Sequence, residues 1–420
     1  MEYSSAQPHF LAVAPFVMLL ATIALGPLFF AEWWGKHYPQ VCLALAAVVV
    51  GYYWLGLHAT TPILHTAGQY ISFISLIASL FVVSGGILIK VKGEATPLVN
   101  TVYLAVGAVL ANTLGTTGAS MLLIRPWIRM NKYRITGHHI AFFIFVISNV
   151  GGCLTPVGDP PLFLGYLTGV PFWWVAAHGW HIWLTGTGIL LVTFYAVDRH
   201  NFRRAPRTVR EQETAHEEWH FKGLSNFIFL AVILGSIFVN RPFLLREVLM
   251  VGAAVGSYLT TPKSVHEANH FNLHPVREVA ILFIGIFGTM MPALDWLAAH
   301  AGKLGGASHA VFYFGSGTLS SVLDNAPTYL SFLSALFGVA GTRDIQVLLA
   351  EHPTGVLAVS VGSVFFGANT YIGNGPNFMV KAIADQQNVH TPTFLGYVAR
   401  FTVPFMVPML LIVWLLFFRG

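Results

Sequence analysis

Apolar residues gather along the chain in unbroken stretches of about 17 to 25, the length an α-helix needs to cross ~30 Å of hydrocarbon. In lipid every backbone polar group must be satisfied internally, so only helices or closed barrels span. The stretches are continuous where barrel strands would alternate, and helices are predicted. Ten spans are expected, near residues 10–30, 41–57, 70–89, 139–166, 174–197, 224–240, 246–261, 276–292, 356–382 and 395–418. Two further apolar segments, about 97–128 and 308–338, are too long for one crossing and carry Gly, Pro, Asn and Thr in the middle. They are predicted to be re-entrant helical hairpins, entering and leaving on one side, because non-helical backbone at depth is tolerated where protein or a water-filled cavity covers it. One long tilted helix each is the alternative.

Composition agrees with this pattern: 55% of the 420 residues are hydrophobic and 9% charged, against roughly 25% charged in an average soluble domain. The first stretch, Phe10 to Phe30, has no basic residue before it. A cleaved leader has a positive first region, so a true span is expected. The net charge of +5 could suit nucleic acid, but the basic residues cluster in particular loops, and no nucleic-acid partner is expected. With the amino terminus outside, Lys36, Lys90, Lys92, Arg125 to Arg134, Arg199 to Arg210, Lys222, Lys263, Arg277 and Lys381 fall on the cytoplasmic side, and only Arg241, Arg246, Lys303, Arg343 and Arg419 outside. That is the positive-inside bias of inserted helices, and the expected location is the inner membrane of a prokaryote. Cys42 and Cys153 both lie in apolar segments and define no disulfide framework.

The orientation puts both ends of the first hairpin in the cytoplasm and both ends of the second outside. The long polar segment 198–223 becomes a cytoplasmic linker between a first membrane repeat, 1–197, and a second, 224–420. Each repeat holds three spans, a hairpin (97–128, 308–338), an interrupted helix (139–166, 356–382) and a closing span. The sequence itself repeats. Thr155-Pro-Val-Gly-Asp-Pro-Pro-Leu-Phe-Leu164 aligns with Thr370-Tyr-Ile-Gly-Asn-Gly-Pro-Asn-Phe-Met379 at a shift of 215 positions. Nearly the same shift carries Ala111-Asn-Thr-Leu-Gly onto Asp324-Asn-Ala-Pro-Thr. The expected fold is therefore an all-α polytopic membrane protein of two inverted-topology repeats, in which substrate and coupling ions bind near the midplane at broken helices.

The chemistry of the breaks follows from their composition. Gly151, Gly152, Pro156, Gly158, Pro160 and Pro161 cannot continue a helix, because proline lacks a donor and glycine loosens the backbone. The freed carbonyls, with side-chain oxygens of Asn149, Thr155 and Asp159, are hard ligands suited to a small alkali cation. The partner break supplies Asn369, Thr370, Asn374 and Asn377, and the hairpins supply Asn112, Thr113, Asp324, Asn325 and Thr328. The alternative for the breaks is packing kinks with Asn and Thr capping half-helices. A carboxylate at membrane depth is costly unless paired, hydrated or protonated. Only Asp159 and Asp324 sit inside the repeated motifs, one per half, answered by neutral Asn374 and Ala111. Lys381 and Arg400 are candidate partners for them, although Lys381 can equally pair with Asp385 one turn on.

Ser148-Asn-Val-Gly-Gly-Cys-Leu-Thr-Pro-Val-Gly-Asp-Pro-Pro161 and Asp324-Asn-Ala-Pro-Thr328 resemble the ion transporter superfamily, closest to its branch of NhaD-type sodium/proton antiporters and citrate transporters. The resemblance covers nearly the whole chain and is specific for the superfamily, not the substrate. It implies inverted repeats, hairpins ending near the midplane, a homodimer and elevator-like alternating access. The Ser-Asn-Thr signature of the dicarboxylate branch stands here as Ala111-Asn-Thr113 and Asp324-Asn-Ala326, which speaks against dicarboxylates.

His216-Glu-Glu-Trp-His220 matches a zinc-protease pattern, with His216 and His220 as ligands and Glu217 as base, but no third ligand is assignable. His266, His270 and His274 are expected to be solvated or interfacial, and Trp33, Trp34, Trp173 and Trp174 to anchor the interfaces. The absence of a Walker loop argues against ATP-driven transport within the chain. The expected function is a secondary transporter, first Na+/H+ exchange, with no cofactor beyond the transported Na+ and H+. A carboxylate or cation–citrate symporter and an arsenite or small-oxyanion permease are the alternatives.

Overall fold

The computed structural model describes residues 8–90, 95–204, 220–239, 241–242, 244–269, 271–301 and 308–419. The first half runs α1 (Ala14–Phe29), α2 (Ala31–Gly51), α3 (Thr60–Gly85), α4 (Pro97–Met130), α5 (Gly137–Val146), α6 (Pro160–Leu167) and α7 (Trp174–Arg204). The second runs α8 (Asn226–Ser236), α9 (Leu245–Thr260), α10 (Lys263–Ala268), α11 (His274–His300), α12 (His309–Ser320), α13 (Asn325–Ala340), α14 (Ile345–Glu351), α15 (Pro353–Phe366) and α16 (Gly375–Gln386). It closes with α17 (Phe394–Tyr397), a π-helical run Val398–Met406, and α18 (Val407–Phe417). Among the described residues, seven helical runs are long and apolar enough to cross a membrane. The chain is an all-α polytopic membrane protein.

One of those seven, α4, does not cross as a single rod. A straight helix would set Asn100 and Asn131 ~46 Å apart, yet their side chains hydrogen-bond at 2.8 Å, and Tyr103 Oη donates to the Leu123 carbonyl at 2.8 Å. The turn is Gly115, at φ 75° and ψ 154°, a left-handed conformation that favours glycine. The second expected hairpin also folds back, with α12 and α13 joined by a short turn and the Phe332 ring lying against Gly315.

Burial sorts the helices. In α5 all residues from His138 to Val146 are buried, as are Gly355 to Phe366 of α15, and a helix apolar all round belongs in the core. By contrast α9 exposes Val248, Val251, Val255 and Leu259 at helical spacing while Met250, Ala254 and Ser257 face inward. That is a lipid-facing stripe.

The base of the α4 hairpin is tied down. Asp198 on α7 accepts from Asn100 Nδ2 at 3.0 Å and from Arg134 Nη2 at 2.9 Å, and Arg134 Nη1 bonds its other oxygen. His138 and His139 lie against the same carboxylate, and the three side chains could hold a metal by spacing. Arg134 already occupies both carboxylate oxygens, so the group is a buried ion-pair clasp.

Several expectations are corrected. Helix α2 begins ten residues before the expected span, because Glu32, Lys36 and His37 are helical although polar. Helix α11 extends to His300 because Asp295, inside it, is satisfied by the Tyr53 hydroxyl at 2.8 Å. Helix α7 runs to Arg204, into the expected linker. Two three-residue strands, β1 (Leu88–Lys90) and β2 (His220–Lys222), pair antiparallel with Leu88 opposite Lys222, which apolar periodicity could not signal. Trp33 and Trp173 are exposed, but Trp34 is buried against Gly26. His266 sits between the Tyr258 and Phe271 rings, at 5.1 and 5.0 Å between centroids. His216, Glu217 and His270 lie outside the described residues.

Candidate functional site

Both interrupted helices break in the same way. After α5 comes a tight turn, Val150–Gly152, then a run of turns over 153–159, then α6 led by Pro160 and Pro161. After α15 comes Gly367–Asn369, then α16 with Pro376 in its first turn. Proline suits a helix start because the donor it lacks would be unpaired there anyway. The capping residues are Asp159 (φ −141°, ψ 142°) and Asn374 (φ −151°, ψ 142°). Neither side chain caps its own helix, so both are free to point elsewhere.

They point at each other. Asp159 is fully buried, and its Oδ1 accepts from Thr116 Oγ1 at 2.7 Å and from Asn374 Nδ2 at 3.3 Å. Its Oδ2 accepts from Asn325 Nδ2 at 2.8 Å. The donors come from the first hairpin, the second hairpin and the second break. Asn149 cross-links the breaks again, donating to Asn377 Oδ1 at 2.7 Å and accepting from Asn374 Nδ2 at 3.2 Å. Asn377 Nδ2 in turn holds the Gly367 and Thr370 carbonyls at 2.8 and 2.9 Å. Every donor to Asp159 is neutral, and among the described residues no cationic side chain contacts it.

Around this centre each half builds the same lock. Thr155 Oγ1 donates to the Asn112 carbonyl at 2.6 Å and accepts from Gly158 N at 3.0 Å. Thr370 Oγ1 donates to the Ser321 carbonyl at 2.5 Å and accepts from Gly373 N at 3.1 Å. The Asn112 side chain accepts from Leu154 N at 2.9 Å, where in the second half Asn369 Nδ2 reaches Ser321 Oγ at 2.9 Å. The breaks match at the expected shift of 215. The hairpins match instead at 209, since Asn112 does the work of Ser321 and Thr116 that of Asn325. The six-residue difference is taken up by the longer connection after the second hairpin, which contains α14.

Asp324 therefore answers Gly115, not Ala111. It caps α13, accepting from Ala326 N at 3.1 Å, and among the described residues it makes no cross-half hydrogen bond. Thr328 is buried and donates to the Asp324 carbonyl at 3.0 Å. Thr113 is turned away from the centre, exposed, its hydroxyl satisfied by the Leu110 carbonyl at 3.0 Å. Lys381 pairs with Asp385 at 2.5 Å, and Arg400 is exposed, so neither serves the buried acid. Thr116, Ser320 and Ser321 were not anticipated. Ser320 Oγ holds Asn325 Oδ1 at 2.7 Å and so orients its amide onto Asp159. The signal for Thr116 was its place directly after the hinge glycine. Asn369 Oδ1 is buried without a hydrogen-bond partner.

A family model described as "Putative citrate transport" matches residues 5–418. The chain belongs to that family. No curated protein is similar enough to count as a relative. Family and fold together make the protein a membrane transporter, and place the broken-helix centre in a chain whose work is moving a solute across a bilayer.

Proposed function

We propose that this transporter is a secondary active carrier of citrate or a closely related carboxylate, coupled to a cation bound at Asp159. The observation that carries it is a fully buried carboxylate whose three hydrogen bonds all come from neutral groups. Hydrogen bonds solvate the charge without cancelling it, and a buried charge without a partner is strongly unfavourable. A proton or a small cation at the carboxylate completes the site. The unpaired Asn369 Oδ1 is a further hard oxygen, in the second break. The anion has its own attraction: α16 begins at the centre with its amino end uncapped by its own side chain, and such half-helix ends favour carboxylate groups. The family description favours citrate among carboxylates.

We further read the halves as inverted repeats, supported by the duplicated Thr–carbonyl locks. In a background lacking Cys42 and Cys153, Arg129→Cys should then react with an impermeant maleimide only from the cytoplasm and Arg343→Cys only from outside. Labelling from one common side would remove the inversion.

Na+/H+ exchange is the second reading, favoured by the absence of a cationic side chain beside Asp159 among the described residues. Proteoliposomes decide between them. An imposed Na+ or proton gradient should drive labelled citrate uptake; gradient-driven proton movement without citrate uptake would favour exchange instead.

A further inference from the structure

We propose that Arg125 and Glu278 form a separate carboxylate-selecting site in a cleft on the cytoplasmic side of the Asp159 centre, an inference that rests on the carboxylate reading above. The cleft encloses about 210 Å³, room for a small carboxylate with part of its hydration, since a water's share of liquid volume is ~30 Å³. It is lined by the returning limb of the α4 hairpin, α16, α3, Asn269, Phe271, Asn272 and α11. All these parts lie at the helix ends that the charge bias assigns to the cytoplasm.

Arg125 and Glu278 are the only ionisable side chains lining the cleft among the described residues. They come from different helices, α4 and α11. No ion pair joins them, and Arg125 Nε is buried without a hydrogen-bond partner. A buried guanidinium nitrogen left without a partner is costly, and ionisable groups lining a cleft between spanning helices mark substrate pathways. Guanidinium is also the group whose planar fork fits a carboxylate in two parallel hydrogen bonds. In the same cleft, Glu278 would repel a second carboxylate but accept from a hydroxyl. The pair therefore suits a hydroxylated carboxylate over its deoxy analogue. Towards the centre the cleft is shut by the hairpin tip: Gly118 packs on Ser84, and Gly115 on Leu80 and the Val157 carbonyl. A ligand held at Arg125 is thus waiting outside a closed door.

The test uses citrate and its deoxy analogue tricarballylate on the full chain. In proteoliposomes Arg125→Ala should raise the KM for citrate ~10-fold or more, the scale of losing one buried charge partner, with Vmax within about twofold. Arg125→Lys should lie between, and Glu278→Ala should narrow the preference for citrate over tricarballylate. Independently, in the background lacking Cys42 and Cys153, citrate should slow maleimide labelling of Gln386→Cys on the cleft wall, and that protection should vanish with Arg125→Ala. Citrate uptake by the parent with unchanged KM and protection in Arg125→Ala would overturn the cleft assignment alone. Protection without uptake would sustain the cleft and refute the transport reading. Neither uptake nor protection would overturn both.

Discussion

In the first half the residue that opens the returning half-helix is Asp159, and in the second, at backbone angles within about ten degrees, it is Asn374. Both breaks hold a Thr hydroxyl against the neighbouring hairpin, and both pack a glycine against a carbonyl six residues earlier. The backbone frame is duplicated, but the charge is not. What the difference teaches is that the second half supplies amides to a carboxylate of the first, so a symmetric frame carries one charge and binds, in our reading, one cation there.

Making the two halves alike in the neutral sense should have the largest effect. Asp159→Asn keeps the shape, and coupled uptake should fall on the order of 100-fold, as when one member of a buried charge pair is removed. Persistence of gradient-driven citrate uptake in this variant would move the coupling site elsewhere. Making them alike in the charged sense is milder. Asn374→Asp brings a second carboxylate to the place where the amide now sits 3.3 Å from Asp159, and two carboxylates that close cannot both ionise. Relative to the parent at the same pH, uptake should drop about tenfold at pH 8 and recover towards pH 6 as a shared proton replaces the lost hydrogen bond.

Smaller effects sharpen the geometric side of the comparison. A methyl group on Gly158 would meet the Gly152 carbonyl oxygen at 2.1 Å, and on Gly373 the Gly367 oxygen at 2.5 Å. Both Gly158→Ala and Gly373→Ala should destabilise by ~1–3 kcal/mol through overpacking, Gly158→Ala more so, read as thermal midpoints in detergent. The reverse order would contradict the tighter packing of the first break. Least of all should Lys381→Ala matter, because its partly exposed pair with Asp385 contributes ~0–1 kcal/mol. Uptake within twofold of the parent is expected.

Much of this frame was legible in the apolar runs and in the density of Gly and Pro at the breaks. Asn149, Thr155, Asp159, Asn374 and Asn377 announce themselves because proline and glycine beside them forbid a helix. The span ends were less legible: polar Glu32 and Asp295 look like boundaries, yet each lies within a helix, and only the Tyr53 contact explains Asp295. The hairpin register misled for a physical reason. Asn112 and Asn325 share an identity but not a task, the first holding Leu154 N and the second Asp159. Thr116 went unseen because a threonine after a glycine in an apolar run carries no charge and breaks no pattern. Arg125 counted only as a topology marker, since nothing in its sequence neighbours reveals the cleft it shares with Glu278.

The clasp at Asp198 has a consequence for speed. Both legs of the first hairpin are fastened to one helix through Asn100, Asn131 and Arg134, so the legs cannot spread to open a continuous pore. Release to either side then requires the fastened parts to shift together, and collective motions of packed helices take microseconds to milliseconds. A conduit with independently swinging legs would pass a stream of ions at each opening. On the carrier reading proposed above, this one resets after each load, and its flux is counted in cycles.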